Sequence, residues 1–290
     1  MAYRRRYPVA TRSRTYRRTS RFSKRRSPYS RSTLSRPRYS RRRPIRRART
    51  TMTKRRVLDV TSVKKRDNMA LYDYNTPANT AISVPGGPVG SIRSYLWAAT
   101  ARDRQDSFYQ ANRTSKNVYW KGIKETITFT CTTAVSWKWR RIVFSVKGYK
   151  PENSYTELSN GNYRRTWNPT VDATLPTKLF QGTSGVDFTS VTTANVDTDW
   201  CKLLYDKTRI FRSGNQSPHE HMAKIYIPLE ATMNYDEDEN GGMMDSTYWA
   251  SPGIKGMGDV FILDYFECIQ GASTDIMQIR SQTTAYWHEK

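Results

Sequence analysis

Ile123-Lys-Glu-Thr-Ile-Thr-Phe-Thr-Cys131 alternates strictly: Ile123, Glu125, Ile127, Phe129 and Cys131 fall on one side, Lys124, Thr126, Thr128 and Thr130 on the other. Side chains on a strand point to opposite faces in turn, so a period of two predicts a strand with one wet face. The next run, Val135, Trp137, Trp139, then Ile142, Phe144, Val146, changes phase at Arg140-Arg141. That change predicts a bulge, which would re-aim one of the two arginines. Working outward, further strands are expected at 57–63, 94–100, 200–205, 208–213, 222–230, 258–269 and 275–287. Val260 to Ile269 is apolar on both faces apart from Asp264 and Glu267, the pattern of a central, buried strand. Turn residues separate the runs, at Pro85-Gly86-Gly87-Pro88, Asn160-Gly161-Asn162, Asn240-Gly241-Gly242 and Pro252-Gly253. Ala98–Gln110 is the one helix candidate. About eight strands with long loops predict an all-β sandwich, a jelly roll.

The charge is divided as sharply as the hydrophobicity. The chain has 290 residues, 49 Lys+Arg against 25 Asp+Glu, and a formal net charge of +24. Its first 58 residues hold 23 of those cations and no acid, so the remaining 26 cations face 25 acids. The sequence therefore reads as two parts: a basic arm over 1–58 and a folded domain over 59–290. Val9, Phe22, Leu34, Ile45, Val57 and Leu58 are too little apolar surface to offset backbone entropy, and like charges repel, so the arm is expected to be disordered alone. Arginine outnumbers lysine there 21 to 2, and guanidinium grips phosphate with two parallel hydrogen bonds. Tyr3, Tyr7, Tyr16, Tyr29 and Tyr39 are interleaved and suit stacking on unpaired bases. The candidate DNA-binding residues are Arg4, Arg5, Arg6, Arg17, Arg18, Arg25, Arg26, Arg41, Arg42, Arg43, Arg46, Arg47, Arg49, Lys54, Arg55 and Arg56, with Arg140 and Arg141 in the domain. The basic clusters, Lys64-Lys65-Arg66 among them, also read as nuclear-import signals.

Catalytic constellations are missing from the sequence, and neither an enzyme nor a cofactor is expected. There is no phosphate-binding P-loop motif, and Cys131, Cys201 and Cys268 lack zinc-site spacing. His219 and His221 stand two apart and can share a metal on a strand, but read better as a polar loop before Met222–Leu229. Asp236-Glu237-Asp238-Glu239 lacks the spaced ligands of a calcium loop and reads as a solvated hairpin tip. Gly253 to Gly258 has no helix after it to complete a phosphate loop. Trp137 and Trp139 read as core rather than as a base-stacking platform. No apolar run approaches the ~18 residues that span a bilayer, the arginine-rich start is no secretory signal, and the sequons at Asn112 and Asn215 carry no weight without secretion.

Several segments in fixed order resemble one family. They are Tyr119-Trp-Lys-Gly-Ile-Lys-Glu125, Trp137-Lys-Trp-Arg-Arg-Ile-Val-Phe144, Leu179-Phe-Gln-Gly182 through Asp187, Tyr205-Asp-Lys-Thr-Arg209, Gly214-Asn215, the acidic Tyr235–Gly241, Gly256-Met-Gly-Asp259 and Tyr286-Trp-His-Glu-Lys290. Together they resemble the capsid protein of genomoviruses, circular single-stranded DNA viruses related to the geminiviruses; Asp187-Phe188 stands where that pattern has Asp-Trp. The resemblance implies a viral jelly-roll subunit of a small icosahedral (T=1-like) shell, found in the virion and, during assembly, in the host nucleus. It implies as partners a single-stranded DNA genome, about 60 copies of the chain itself and host nuclear-import receptors, with no membrane. About 60 arms would bring roughly 1,400 positive charges inside, enough to condense a genome without reading its sequence. The competing reading is a basic-tailed host chromatin or ribosomal nucleic-acid-binding protein. Within the domain, one of Arg140 and Arg141 is expected in a buried ion pair with Glu125, Asp206 or Asp259. The other is expected to face the inner surface or a subunit contact.

Overall fold

A computed structural model describes residues 52–290, apart from 77–80, 106–108, 159–160, 170 and 215–216. The two runs that open the sequence reading become β4 (Asn117–Cys131) and β5 (Ser136–Val146). Around them lie β1 (Val63–Asp73), β2 (Ile82–Pro85), β3 (Ile92–Ala98), β6 (Thr156–Leu158), β7 (Asn162–Trp167) and β8 (Lys202–Phe211). The chain closes with β9 (His219–Asn240), β10 (Met243–Ala250), β11 (Asp259–Ile269) and β12 (Ile276–Glu289). The helices are α1 (Lys54–Thr61) and the single turn α2 (Leu175–Leu179).

The strands form two sheets. The larger runs β10-β9-β4-β12-β1-β7-β6, with β2 also on β12, and the smaller runs β3-β11-β5-β8. Four antiparallel pairs join the first half of the chain to the second in reverse order: β1 with β12, β3 with β11, β4 with β9, and β5 with β8. The chain is thus one long hairpin, β1-β3-β4-β5 returning as β8-β9-β11-β12, rolled so that its pairs alternate between the sheets. That wrapping defines a jelly roll, and the expected fold class is observed.

Between the sheets lies the main core, including Trp120, Ile127, Phe129, Trp137, Trp139, Trp167, Ile262, Phe266 and Trp287. β11 is central in its sheet and buried on both faces, as its sequence predicts. The outer face of the small sheet is covered too. Ile142 and Phe144 of β5 and Phe261 and Leu263 of β11 pack there against Leu175, Leu179, Phe180, Ala194 and Val196. These covering residues come from the long connection between β7 and β8.

This second core corrects the expected bulge. β5 pairs with β11 without interruption from Ser136 to Val146, passing straight through Arg140 and Arg141. Trp137, Trp139, Arg141 and Val143 point to the main core; Arg140, Ile142, Phe144 and Val146 point to the second. A strand buried on both faces loses its alternation, and the loss looks like a phase change. The irregularities fall elsewhere, at Val143/Phe144 against β8, at Lys121 in β4 and between Ser246 and Ala250 in β10. The runs at 200–205 and 208–213 are one strand, β8, and 57–63 is mostly α1, so β1 starts at Val63. The described part of Ala98–Gln110 is not helical. Several of its backbone amides bond outside the segment instead, Ala98 to Ser154 O (2.7 Å) and Ala99 to Val260 O (2.8 Å).

Candidate functional site

Arg4, Arg5, Arg6, Arg17, Arg18, Arg25, Arg26, Arg41, Arg42, Arg43, Arg46, Arg47 and Arg49 lie outside the described residues. Lys54, Arg55 and Arg56 are on α1, which crosses the expected arm boundary at 58/59.

Arg140 and Arg141 are both buried and both paired, so the expectation that one of them stays accessible is corrected. Alternation sends them to different cores. Arg140 enters the second core, where its Nε donates to Asp206 (2.9 Å) and its Nη1 to the carbonyls of Val191 (2.7 Å) and Ala194 (2.8 Å). Arg141 enters the main core, donates from Nε and Nη2 to Asp264 (2.7 and 2.8 Å), and pairs with Glu125. Arg165 of β7 completes this cluster, with Nε 2.9 Å from Glu125 and Nη2 3.0 Å from Asp264. Trp139 Nε1 also donates to Asp264 (2.8 Å), and the Arg165 guanidinium lies 4.2 Å from the Trp167 ring centroid. Two guanidiniums thus balance two carboxylates, and the cluster ties β5 and β11 of one sheet to β4 and β7 of the other. Burial opposes the Glu125 charge, but Arg141 and Arg165 outweigh it and hold the carboxyl below its ordinary value. Asp264 and Glu125 in turn keep Arg141 charged. Asp264 and Arg165 are partners the sequence reading missed; Asp264 was visible only as a lone acid in an apolar strand.

The other buried cations follow the same rule. Lys65 pairs with Glu289 (3.0 Å), Arg102 with Asp67 (2.8 Å), and Arg113 with Glu237. Each of these interior charges is buried against a carboxylate, although the buried Arg102 Nε has no hydrogen-bond partner among the described residues.

Exposed cations without an ion pair among the described residues occur at several places, Lys202, Lys207, Arg212 and Lys255 among them, and four share the outer face of the large sheet. Register places its side chains in rows across β1, β12, β4 and β9: Lys64–His288–Tyr119–Thr232, Arg66–Tyr286–Gly122–Pro228, Asn68–Thr284–Lys124–Tyr226 and Ala70–Gln282–Thr126–Lys224. Two further rows follow, Arg280–Thr128–Met222 and Gln278–Thr130–Glu220. Lys64 is paired to Asp59, and Lys121, at the β4 bulge, to Glu230. Arg66, Lys124, Lys224 and Arg280 are exposed and have no ion pair among the described residues. Glu220 is the one acid in these rows. Tyr226 lies across Gly122 and donates from its hydroxyl to Lys121 O (3.3 Å). A Cβ on Gly122 would meet that hydroxyl at 2.6 Å, so only glycine lets the ring lie there.

The other candidates resolve simply. Trp137 and Trp139 are core. His219 and His221 begin β9, with the His221 ring 4.6 Å from that of Phe211; among the described residues no group of three potential metal ligands assembles. The acidic run is strand rather than tip. Glu237–Asn240 pair with β10, the turn is Gly241-Gly242 with φ of 56° and 90°, and Glu237 is buried on Arg113. Asp259 accepts from Ala250 N through Oδ1 (2.8 Å), while its buried Oδ2 has no hydrogen-bond partner among the described residues. Burial pushes its carboxyl up to about 7. No helix among the described residues is long and apolar enough to cross a membrane.

The chain matches no protein-family model and no curated protein. Among solved structures it is similar to VP1 of Trichodysplasia spinulosa-associated polyomavirus, at 11% identity over 78% of this chain and 76% of that one, with a TM-score of 0.15. The same VP1 in complex with GM1 oligosaccharide aligns at 12% identity over 79% and 75%, with a TM-score of 0.11. Superposition that loose carries no argument, and the fold assignment stands on the strand order.

Proposed function

We propose that the chain is a viral coat-protein subunit. Its jelly-roll domain assembles into a small icosahedral shell of about 60 copies, and its arginine-rich arm packages a circular single-stranded DNA genome. One observation carries this reading: the first 58 residues hold 23 cations and no acid, while the rest of the chain is near neutral. A near-neutral body can pack against copies of itself without mutual repulsion, while a concentrated arm neutralises phosphate by counterion release. The jelly-roll wrapping and the ordered genomovirus-like segments agree with it. Arg4–Arg6, Arg41–Arg43 and Lys54–Arg56 are the arm clusters proposed to hold phosphate and to engage nuclear-import receptors.

Size separation and electron microscopy of the purified full chain test this. Closed multi-megadalton particles that protect single-stranded DNA from nuclease are expected. A folded protein that stays small in every salt and pH tried, with or without DNA, contradicts the shell and favours the basic-tailed host protein.

A further inference from the structure

We propose that the outer face of the large sheet is a bed for single-stranded nucleic acid, on which Arg66, Lys124, Lys224 and Arg280 hold phosphates and exposed tyrosines carry bases. This rests on the packaging reading and deepens it, because it places part of the binding in the folded domain and fixes which sheet faces the genome.

The first argument is charge. Every fully buried cation in the described residues has a carboxylate partner, whereas these four exposed ones have no ion pair among those residues. They share a face whose six rows across β1, β12, β4 and β9 contain one acid, Glu220, the other outward acids of β9 being Glu230, paired to Lys121, and Asp236 and Asp238 beyond the end of β4. Such a patch is complementary to a polyanion and repels a second copy of itself. The second argument is the chemistry between the cations. Tyr119 and Tyr226 are 37% and 49% exposed on this face, with Tyr286 and His288 beside them. Aromatic rings among cations suit a strand whose bases are free to stack, and a duplex would leave them without partners. Thr126, Thr128 and Thr130 add hydroxyl donors for phosphate or sugar oxygens. The third is topology. The small sheet's outer face is sealed by the second core, whereas among the described residues Arg66, Lys124, Lys224 and Arg280 of the large sheet's outer face are exposed. β1, which carries Arg66, is the strand into which the basic arm leads.

The test uses the full chain with its arm intact, titrated with a labelled oligothymidine across a range of salt. Replacing Arg66, Lys124, Lys224 and Arg280 together by Gln should reduce the magnitude of the log affinity against log salt slope by about 3, at ~0.7 per phosphate contact. Particle formation and melting temperature should stay at wild-type values. Tyr226→Leu should weaken oligonucleotide binding about tenfold at fixed salt, and ultraviolet cross-links should reach Tyr226 and Tyr286. Should the quadruple variant fail to fold, Lys124→Gln and Lys224→Gln alone should each lower the slope by about 0.7. Normal particles with an unchanged slope and cross-links confined to residues 1–58 overturn this inference and leave the packaging reading standing. Lost assembly with unchanged binding makes the face a subunit contact and overturns it. Tighter binding to anionic vesicles than to oligothymidine makes it a lipid surface and overturns it as well. A wild-type chain that binds no nucleic acid contradicts the packaging reading itself.

Discussion

The two outer faces of the sandwich are built from the same kind of strand and treated in opposite ways. The small sheet is roofed by the β7–β8 connection, and the one arginine that points there, Arg140, is held by Asp206 and two carbonyls. Among the described residues no such roof lies over β1, β12, β4 and β9, and four of the cations there stand unpaired. The comparison teaches that an arginine's place in sequence says little about its availability. Arg140 and Arg141 look like a nucleic-acid contact beside two tryptophans, yet each is saturated inside a core. Lys124, one residue from buried Glu125, is free because the strand turns it outward.

The comparison is most easily broken at the buried cluster. Asp264→Ala removes a carboxylate shared by Arg141 and Arg165 and should cost about 3–5 kcal/mol, because uncompensated guanidiniums remain buried. Chemical denaturation checks this, and a near-wild-type midpoint would mean that water reaches the cluster. Phe144→Ala, in the second core, should cost a similar 3–5 kcal/mol if the roof is tightly packed over the small sheet. A loss below about 1 kcal/mol would mean that the connection merely rests there.

A smaller effect comes from Asp259. Its folded carboxyl titrates at about 7 against an ordinary 3.8, so between these values the folded protein keeps a proton that the unfolded chain releases. Its contribution therefore favours folding at low pH and is lost as pH rises toward 7. Asp259→Asn should flatten that fall in melting temperature; parallel pH profiles for variant and wild type would refute the assignment. Smallest of all, Lys124→Gln on the open face should change stability by less than about 0.5 kcal/mol. A large destabilisation would show that the face is structurally tied after all.

Much of the fold was legible because alternation survives wherever one side of a strand is wet, as in β4. Legibility failed where burial is two-sided or where polarity hides a strand. β5 looked bulged because a second core covers its other face. β1 was missed because Lys64-Lys65-Arg66-Asp67-Asn68 carries no apolar signal, its inward Lys65 and Asp67 being neutralised by Glu289 and Arg102. The cationic face was illegible for a related reason. It is assembled by register from β1, β12, β4 and β9, which are scattered along the chain, and only pairing brings Arg66 near Lys124 and Arg280.

The most direct test of the division between sealed and open charge is electron cryo-microscopy of particles assembled from the full chain with circular single-stranded DNA. The account predicts a closed shell with the large sheet facing inward and nucleic-acid density lying against Arg66, Lys124 and Tyr226. A shell with that sheet facing outward, or with DNA density only away from it, would contradict the account.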